Sequence, residues 1–344
     1  MAEENDRAPS PMFSLKQAIA SCQEPILRSS IWQMANTLVP YVVLWGLMIW
    51  TLSISYWVTL GLSVAAAGFL SRLFMIFHDC THGSFMKSRR ANRTLEFFTG
   101  VLTFTPYRQW RHKHALHHAT SGDLDRRGTG DIWTLTVQEY LDAPRWKRLS
   151  YRVVRCPVVL FVIAPLYLFL IHHRFPSATV GKRERRGVHW TNGALLAIVV
   201  VMSMTIGIKA YLLIQLPVML FAGVVGVWLF YVQHQFESVY WERRPDWDFA
   251  QAALHGSSYY KLPKVLQWFT GNIGFHHVHH LSPSIPNYNL EKCHNENPVF
   301  QTVAPVTLWA SMNSLSLRLL DEQRKKLVGF GQLRASRRGN SLTV

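Results

Sequence analysis

Four long apolar stretches constrain this chain more than any other feature: Met34–Ile54, Tyr56–Phe77, Trp190–Ile208 and Tyr211–Val232. Each has about 20 mostly apolar residues, the length that crosses a bilayer core as an α-helix. Lipid offers no water to the backbone, so such a segment closes its hydrogen bonds internally. Two further stretches are too short or too interrupted to cross: Leu95–Tyr107, and Cys156–His173 with Pro157 and Pro165 inside it. They are expected to be re-entrant or interfacial helices. Only 16% of the residues are charged, against roughly 25% in an average globular chain, which fits lipid as the main solvent.

Charge then sets the sidedness. The net charge is +16, and the basic stretches are Lys87–Arg93, Arg145–Arg155, Lys182–Arg186 and Arg324–Arg338. The connections near Ser55 and Lys209 are short and nearly uncharged. Lys and Arg collect in cytoplasmic loops, so the basic stretches and both termini are expected inside. Helices one and two then form one hairpin, and helices three and four another. A six-crossing arrangement would put Lys182–Arg186 or a histidine cluster on the wrong side. Arg72 lies within the second stretch and reads either as functional or as a snorkelling arginine. The N-terminal MAEENDRAPS is acidic and polar, unlike a cleavable signal peptide. The four cysteines form no C-x-x-C pair and no disulfide framework, which suits a reducing compartment. No nucleic-acid-binding signature accompanies the positive charge, so nucleic acid is not an expected partner.

The chemistry is concentrated in histidine. Three clusters stand out among 16 His: His78 with His82, His114 with His117 and His118, and His276 with His277, His279 and His280. Residues three and four apart share a helical face, so His78 and His82 converge, as do His114, His117 and His118, and His276, His279 and His280. All three clusters fall on the expected cytoplasmic side, and so does His234, just after the fourth stretch. Eight or nine imidazoles exceed what one ion takes, since a zinc binds about four. Two metals with four or five ligands each account for the number. Neutral imidazole suits iron, zinc, copper and nickel, so ligand type alone does not choose among them. His112 lies on the opposite face from His114. His277 turns away from its neighbours and is expected to support ligands. His172, His173, His189 and His294 read as polar surface or satisfied core, and His255 stays open. Asp79, Asp125, Asp131 and Glu237 read as supporting or structural carboxylates.

H-x-x-x-H, H-x-x-H-H and H-x-x-H-H, in this order with hydrophobic hairpins between them, resemble the membrane fatty acid desaturases. The text around them, FHDCTHGSF, WRHKHALHHATSGDLDRRGTGDIW, GVWLFYVQHQFE and GNIGFHHVHHLSPSIPNYNL, looks like the bacterial delta-5 acyl-lipid group. The resemblance implies an all-α integral membrane protein with four transmembrane helices in two hairpins, re-entrant or interfacial helices, and a cytosolic histidine-box cap. It divides the chain into a polar segment 1–33, a desaturase domain 34–318 and a basic tail 319–344. It also implies two iron ions held by His78, His82, His114, His117, His118, His276, His279 and His280, with His234 as a further ligand. Asn272, four residues before His276, is expected to orient a ligand or a bound water, and Asp79 to act in support.

The implied reaction inserts a cis double bond into acyl chains of plasma-membrane phospholipids. Unactivated methylenes offer nothing to acid–base catalysis, so an oxygen-activating metal is required, and zinc has no redox chemistry. The chain lacks a G-x-G-x-x-G fingerprint, so electrons are expected from a carrier such as ferredoxin or flavodoxin docking on the basic face; the same charges also suit anionic headgroups. A di-iron lipid hydroxylase or ketolase is the nearest rival. An intramembrane metalloprotease would read His78–His82 as a variant of H-E-x-x-H and leave six histidines unused. A metal transporter would need polar residues in mid-span, where these stretches are apolar.

Overall fold

The structure is a computed structural model and describes residues 19–333. The acidic N-terminal stretch and the tail from 334 onward lie outside the described residues. Long helices form where the apolar stretches lie. In chain order the main ones are α1 (Leu27–Thr51), α2 (Tyr56–His82), α3 (Arg89–Leu102), α4 (Tyr107–Thr120), α5 (Arg145–Val154), α6 (Lys182–Thr205), α7 (Ile208–His234) and the short α8 (His276–Leu281). A bent helical run, Val159–Arg174, follows α5 at 61°. Among the described residues, α1, α2, α6 and α7 are long and apolar enough to cross a membrane. Val42, Trp50, Trp57, Leu196, Val201 and Met204 are exposed along them, as a lipid-facing surface requires. Helix α2 is the most enclosed, packed through Leu70, Leu73 and Ile76 against Ile214 and Val218 of α7.

The helices outrun the apolar stretches, and this corrects three expectations. Lys182–Arg186, expected as a loop, forms the first turn of α6; Lys, Arg and Glu are good helix formers. His78 and His82, expected just after the second helix, lie within its last turns. His234, expected to follow the fourth helix, is its final residue. Helix α2 stops at Gly83, whose φ of 74° is left-handed. The Ser84 amide bonds the Asp79 carbonyl and the Gly83 amide that of Cys80, the Schellman pattern that glycine permits.

Neither interrupted stretch crosses. Leu95–Tyr107 is the end of α3, a tight turn in which the Thr105 amide bonds the Gly100 carbonyl at 2.7 Å, and the start of α4. Gly100 and Trp110 both lie against Phe77, so the whole unit stays at the histidine end of α2. Cys156–His173 leaves from that same end, where the Tyr151 hydroxyl bonds the Leu135 amide and the Arg318 carbonyl. It dips along α7 until Pro165 meets Gly223, then returns to where Arg174 bonds Asn192 and the Phe104 carbonyl. Two π-helical turns, Val159–Ile163 and Tyr167–Ile171, flank Pro165; a proline removes one i→i−4 bond, and wider turns re-satisfy the backbone around it.

Short strands finish the cap over the histidines. β1 (Leu135–Thr136) pairs in parallel with β4 (Leu319–Asp321), which pairs antiparallel with β5 (Lys326–Val328); β2 (Tyr259–Lys261) pairs in parallel with β3 (Pro305–Thr307). Gly274 lets β2 lie against the approach to α8: a Cβ there would stand 2.3 Å from the Tyr260 carbonyl oxygen. Gly274→Ala is therefore expected to cost about 1–3 kcal/mol by overpacking, read as a lowered thermal midpoint in detergent.

Two buried arginines lock these layers with no carboxylate partner among the described residues. Arg72 bonds the Thr37 hydroxyl at 3.2 Å and the Trp268 carbonyl, and stacks 3.9 Å over the Trp268 ring. It ties α1 and α2 to the segment leading into α8; it neither snorkels to the surface nor reaches the histidines. Arg155 bonds Gln235, the residue after His234, at 2.7 Å and the Leu317 carbonyl at 3.1 Å.

Candidate metal centre

Nine imidazoles meet at one end of the four long helices. Helix α2 delivers His78 and His82, α4 delivers His114, His117 and His118, α7 ends on His234, and α8 is the run His276–Leu281 itself. They divide into two adjoining groups. In the first, nitrogens of His78, His82, His114, His118 and His279 all lie within 4.8 Å of one another. In the second, the same holds for His117, His234 and His280, and His276 joins it through an Nε2 3.0 Å from that of His234. The groups touch where His118 stacks on His280, ring centroids 4.3 Å apart.

The division cuts across the sequence clusters. His117 leaves its neighbours for the second group, and His279 leaves His276 and His280 for the first. Each of the clusters in α4 and α8 therefore serves both groups.

The donor set fits metal ions. Nε2 of His118 is 3.1 Å from Nε2 of both His114 and His279, and Nε2 of His117 is 3.2 Å from that of His234. Two nitrogens each about 2.1 Å from one ion, at right angles, stand about 3.0 Å apart. Nε2 of His82 and of His280 is buried with no hydrogen-bond partner among the described residues, a costly state unless something else binds it. Burial, reinforced by neighbouring imidazoles, holds His114, His118, His276, His279 and His280 well below the usual histidine range. They are thus neutral, the form that binds metal.

This has a sign. An unfolded imidazole takes up a proton near pH 6.5, while these folded ones stay neutral. The unfolded chain binds more protons below that pH, so stability rises with pH there. The metal-free protein is expected to keep its full thermal midpoint above about pH 6.5 and to lose it progressively toward pH 5. A flat profile across that window would contradict the burial of neutral imidazoles.

The surrounding groups fix the rings. Nδ1 of His117 lies 2.9 Å from Asp131, and Nδ1 of His234 lies 3.1 Å from the Gly256 carbonyl. Both acceptors select the tautomer that frees Nε2. Asp131→Ala is expected to lower metal affinity or turnover by 10–100-fold, the usual range for such a partner, with the protein still folded by circular dichroism. Trp110 stacks on His114 at 4.3 Å, and Phe230 packs on both His117 and His234. Neither aromatic residue stands out in the sequence, yet each lies four residues before a histidine on the same helical face.

The other expected residues fall as follows. Asp79 lies 3.2 Å from Nδ1 of His78 and accepts from the backbone and side-chain amides of Asn287. Asn272 bonds Gln267 and the Asn287 carbonyl, so it reaches the histidines only through Asn287 and Asp79. His277 points away and bonds buried His294 at 3.1 Å. His112, His189 and His255 are exposed, and His173 is buried outside the cluster.

Four membrane-length helices, with nine imidazoles gathered at one end by α2, α4, α7 and α8, define an integral membrane protein with a histidine-rich metal site. A family model described as "Fatty acid desaturase" matches residues 54–307. The chain is 49% identical over 316 residues to "Fatty acid desaturase" of Bacillus subtilis (strain 168), covering 92% of this chain and 90% of the relative. It is 27% identical over 317 residues to "sn-1 acyl-lipid omega-3 desaturase (ferredoxin)" of Nostoc sp. (strain 36), covering 85% and 81%. It is 27% identical over 242 residues to "sn-1 oleoyl-lipid 12-desaturase" of Synechocystis sp., covering 65% and 64%. The chain belongs to the fatty acid desaturase family, and so to the oxygen-dependent oxidoreductases.

Proposed function

We propose that this protein is an acyl-lipid desaturase that places a cis double bond in phospholipid acyl chains of the cell membrane, with its histidine face toward the cytosol. The convergence of nine imidazoles into two adjoining groups carries the reading. His78, His82, His114, His118 and His279 would hold one iron, and His117, His234, His276 and His280 the other. Asp79 supports His78 directly, Asn272 supports it through Asn287, and His277 anchors α8 through His294; the catalytic domain runs over 34–318 between a polar N-terminal segment and a basic tail.

When bound, the iron pair supplies the dioxygen-derived oxidant that an unactivated C–H bond requires. The protein supplies the rest. Asp131 and the Gly256 carbonyl hold the His117 and His234 tautomers, and Trp110 and Phe230 wall the imidazoles with aromatic rings that exclude water. Overall a –CH2–CH2– unit, dioxygen, two electrons and two protons become a cis –CH=CH– unit and two waters. An external carrier such as ferredoxin or flavodoxin supplies the electrons. The delta-5 position rests on the resemblance of the sequence around the boxes; relatives carry 12- and omega-3-desaturase names.

The test is the acyl profile, by gas chromatography and mass spectrometry, of a bacterial host expressing the chain with ferredoxin, dimethyl disulfide adducts locating the bond. A new cis bond at carbon 5 is expected. A bond elsewhere would overturn the position alone, and a hydroxylated acyl chain would overturn desaturation.

A further inference from the structure

Helix α4 has two chemically different faces. His114, His117 and His118 point inward. His112, Ala115, Leu116 and Ala119 point outward at i, i+3, i+4 and i+7 spacing, with Leu116 40% exposed. One helix, about 10 Å across with its side chains, therefore separates an open, small, apolar surface from imidazoles of both groups.

The ground around that surface is basic and unpaired. On the face of the cap that carries Glu237, Glu242 and β5 the cations have carboxylates: Arg126 with Asp123, Arg243 with Asp125 and Glu322, Lys325 with Glu242, and Lys326 with Glu237. Beside α4 the pattern reverses. Arg89, Arg90 and Arg93 of α3 and Lys182, Arg183 and Arg186 of α6 are exposed, and none has a carboxylate partner among the described residues. The two flanks close around α4, since Arg108 bonds the Arg183 carbonyl and Gly187 packs on the Arg108 side chain. The acids within these elements do not offset them: Glu96 is buried under Arg111, and Glu184 folds back against Gly181.

We infer that the outer face of α4, between the basic ends of α3 and α6, is where a small acidic redox protein docks to deliver electrons through α4. This rests on the desaturase reading, because only an enzyme that consumes two electrons per turnover needs the delivery. A reduced one-electron carrier would dock twice per double bond, each time losing one electron to the metal centre. A small apolar contact ringed by cations is the form expected of a weak, electrostatically steered encounter. Unpaired cations steer an acidic partner more strongly than cations already neutralised by neighbours.

The test uses the full iron-loaded protein in nanodiscs of zwitterionic lipid, with reduced plant-type ferredoxin as the probe. Stopped-flow reoxidation of the ferredoxin gives the second-order rate. Arg93→Glu with Arg183→Glu is compared with Lys292→Glu with Arg324→Glu, which changes the net charge equally on other surfaces. At low salt the first pair is expected to slow the reaction on the order of tenfold or more, the second pair far less, and the difference to shrink as salt rises. Single-turnover desaturation after chemical pre-reduction should be the same in all three proteins, which shows the first pair folded. Equal ferredoxin rates in the two variants would overturn the docking face. So would unchanged ferredoxin rates with loss of binding to anionic vesicles, which would assign the cations to lipid headgroups. If the chemically reduced parent made no double bond, the desaturase reading itself would fail.

Discussion

Replacing His279 with alanine is expected to abolish desaturation, lowering turnover on the order of a thousandfold or more, at least about 4 kcal/mol in barrier. His279 lies against every other ring of the first group. Its ring centroid lies 4.4 Å from that of His78 and 5.0 Å from that of His82, and its Nε2 lies 3.1 Å from that of His118. It is the member of the α8 cluster that serves the first group, so its loss takes away the link between the third box and the ion site of the first two. Iron content should fall from about two toward about one per chain, because His117, His234, His276 and His280 are untouched. The decisive measurement pairs iron analysis with the acyl profile. Full iron with lost activity would show that His279 acts on substrate rather than on metal. Retained activity would remove it from the centre altogether.

The second large effect concerns stability. Glu96 of α3 is fully buried, and Arg111 of α4 closes on it with Nε 2.8 Å from Oε1. This pair fixes α4 one turn before His114, so it sets the register of the whole second histidine cluster. Arg111→Met leaves a carboxylate in the interior without a counter-ion, and removing one partner of a buried pair costs about 3 kcal/mol or more. For a chain of 344 residues that corresponds to roughly 4 °C or more in the thermal midpoint. The double variant Glu96→Gln, Arg111→Met should recover most of the loss, since no unpaired charge remains. A single variant as stable as the parent would mean that water reaches Glu96. An additive double variant would mean that the two residues act independently.

Periodicity and charge were enough to read much of this molecule. Apolar length alone located all four membrane helices, because a bilayer admits few other solutions. Prolines 157 and 165, with the basic segments on either side, led to the expectation that Cys156–His173 is re-entrant or interfacial, and its path from Tyr151 down to Gly223 and back to Arg174 is that of a segment that dips and returns. Helical spacing also brought each histidine cluster onto one face. What the pattern could not mark was where helices end. Lys182–Arg186 is charged and therefore looked like a loop, but charge does not stop a helix when the residues are good helix formers.

The sequence by itself determined the membrane class and the three histidine clusters, because these follow from apolar length and local spacing. Only the tertiary structure decided how the nine imidazoles divide. His117 and His118 are neighbours in the chain yet serve different groups, and so do His279 and His280. Spacing says which side chains share a helical face, but not which of the two groups each will join across the gap between helices. That depends on how α2, α4, α7 and α8 are set against one another by Arg72, Glu96 with Arg111, and Asp79 with Asn287. All of these contacts join residues distant in sequence or in different elements, and local pattern cannot encode them.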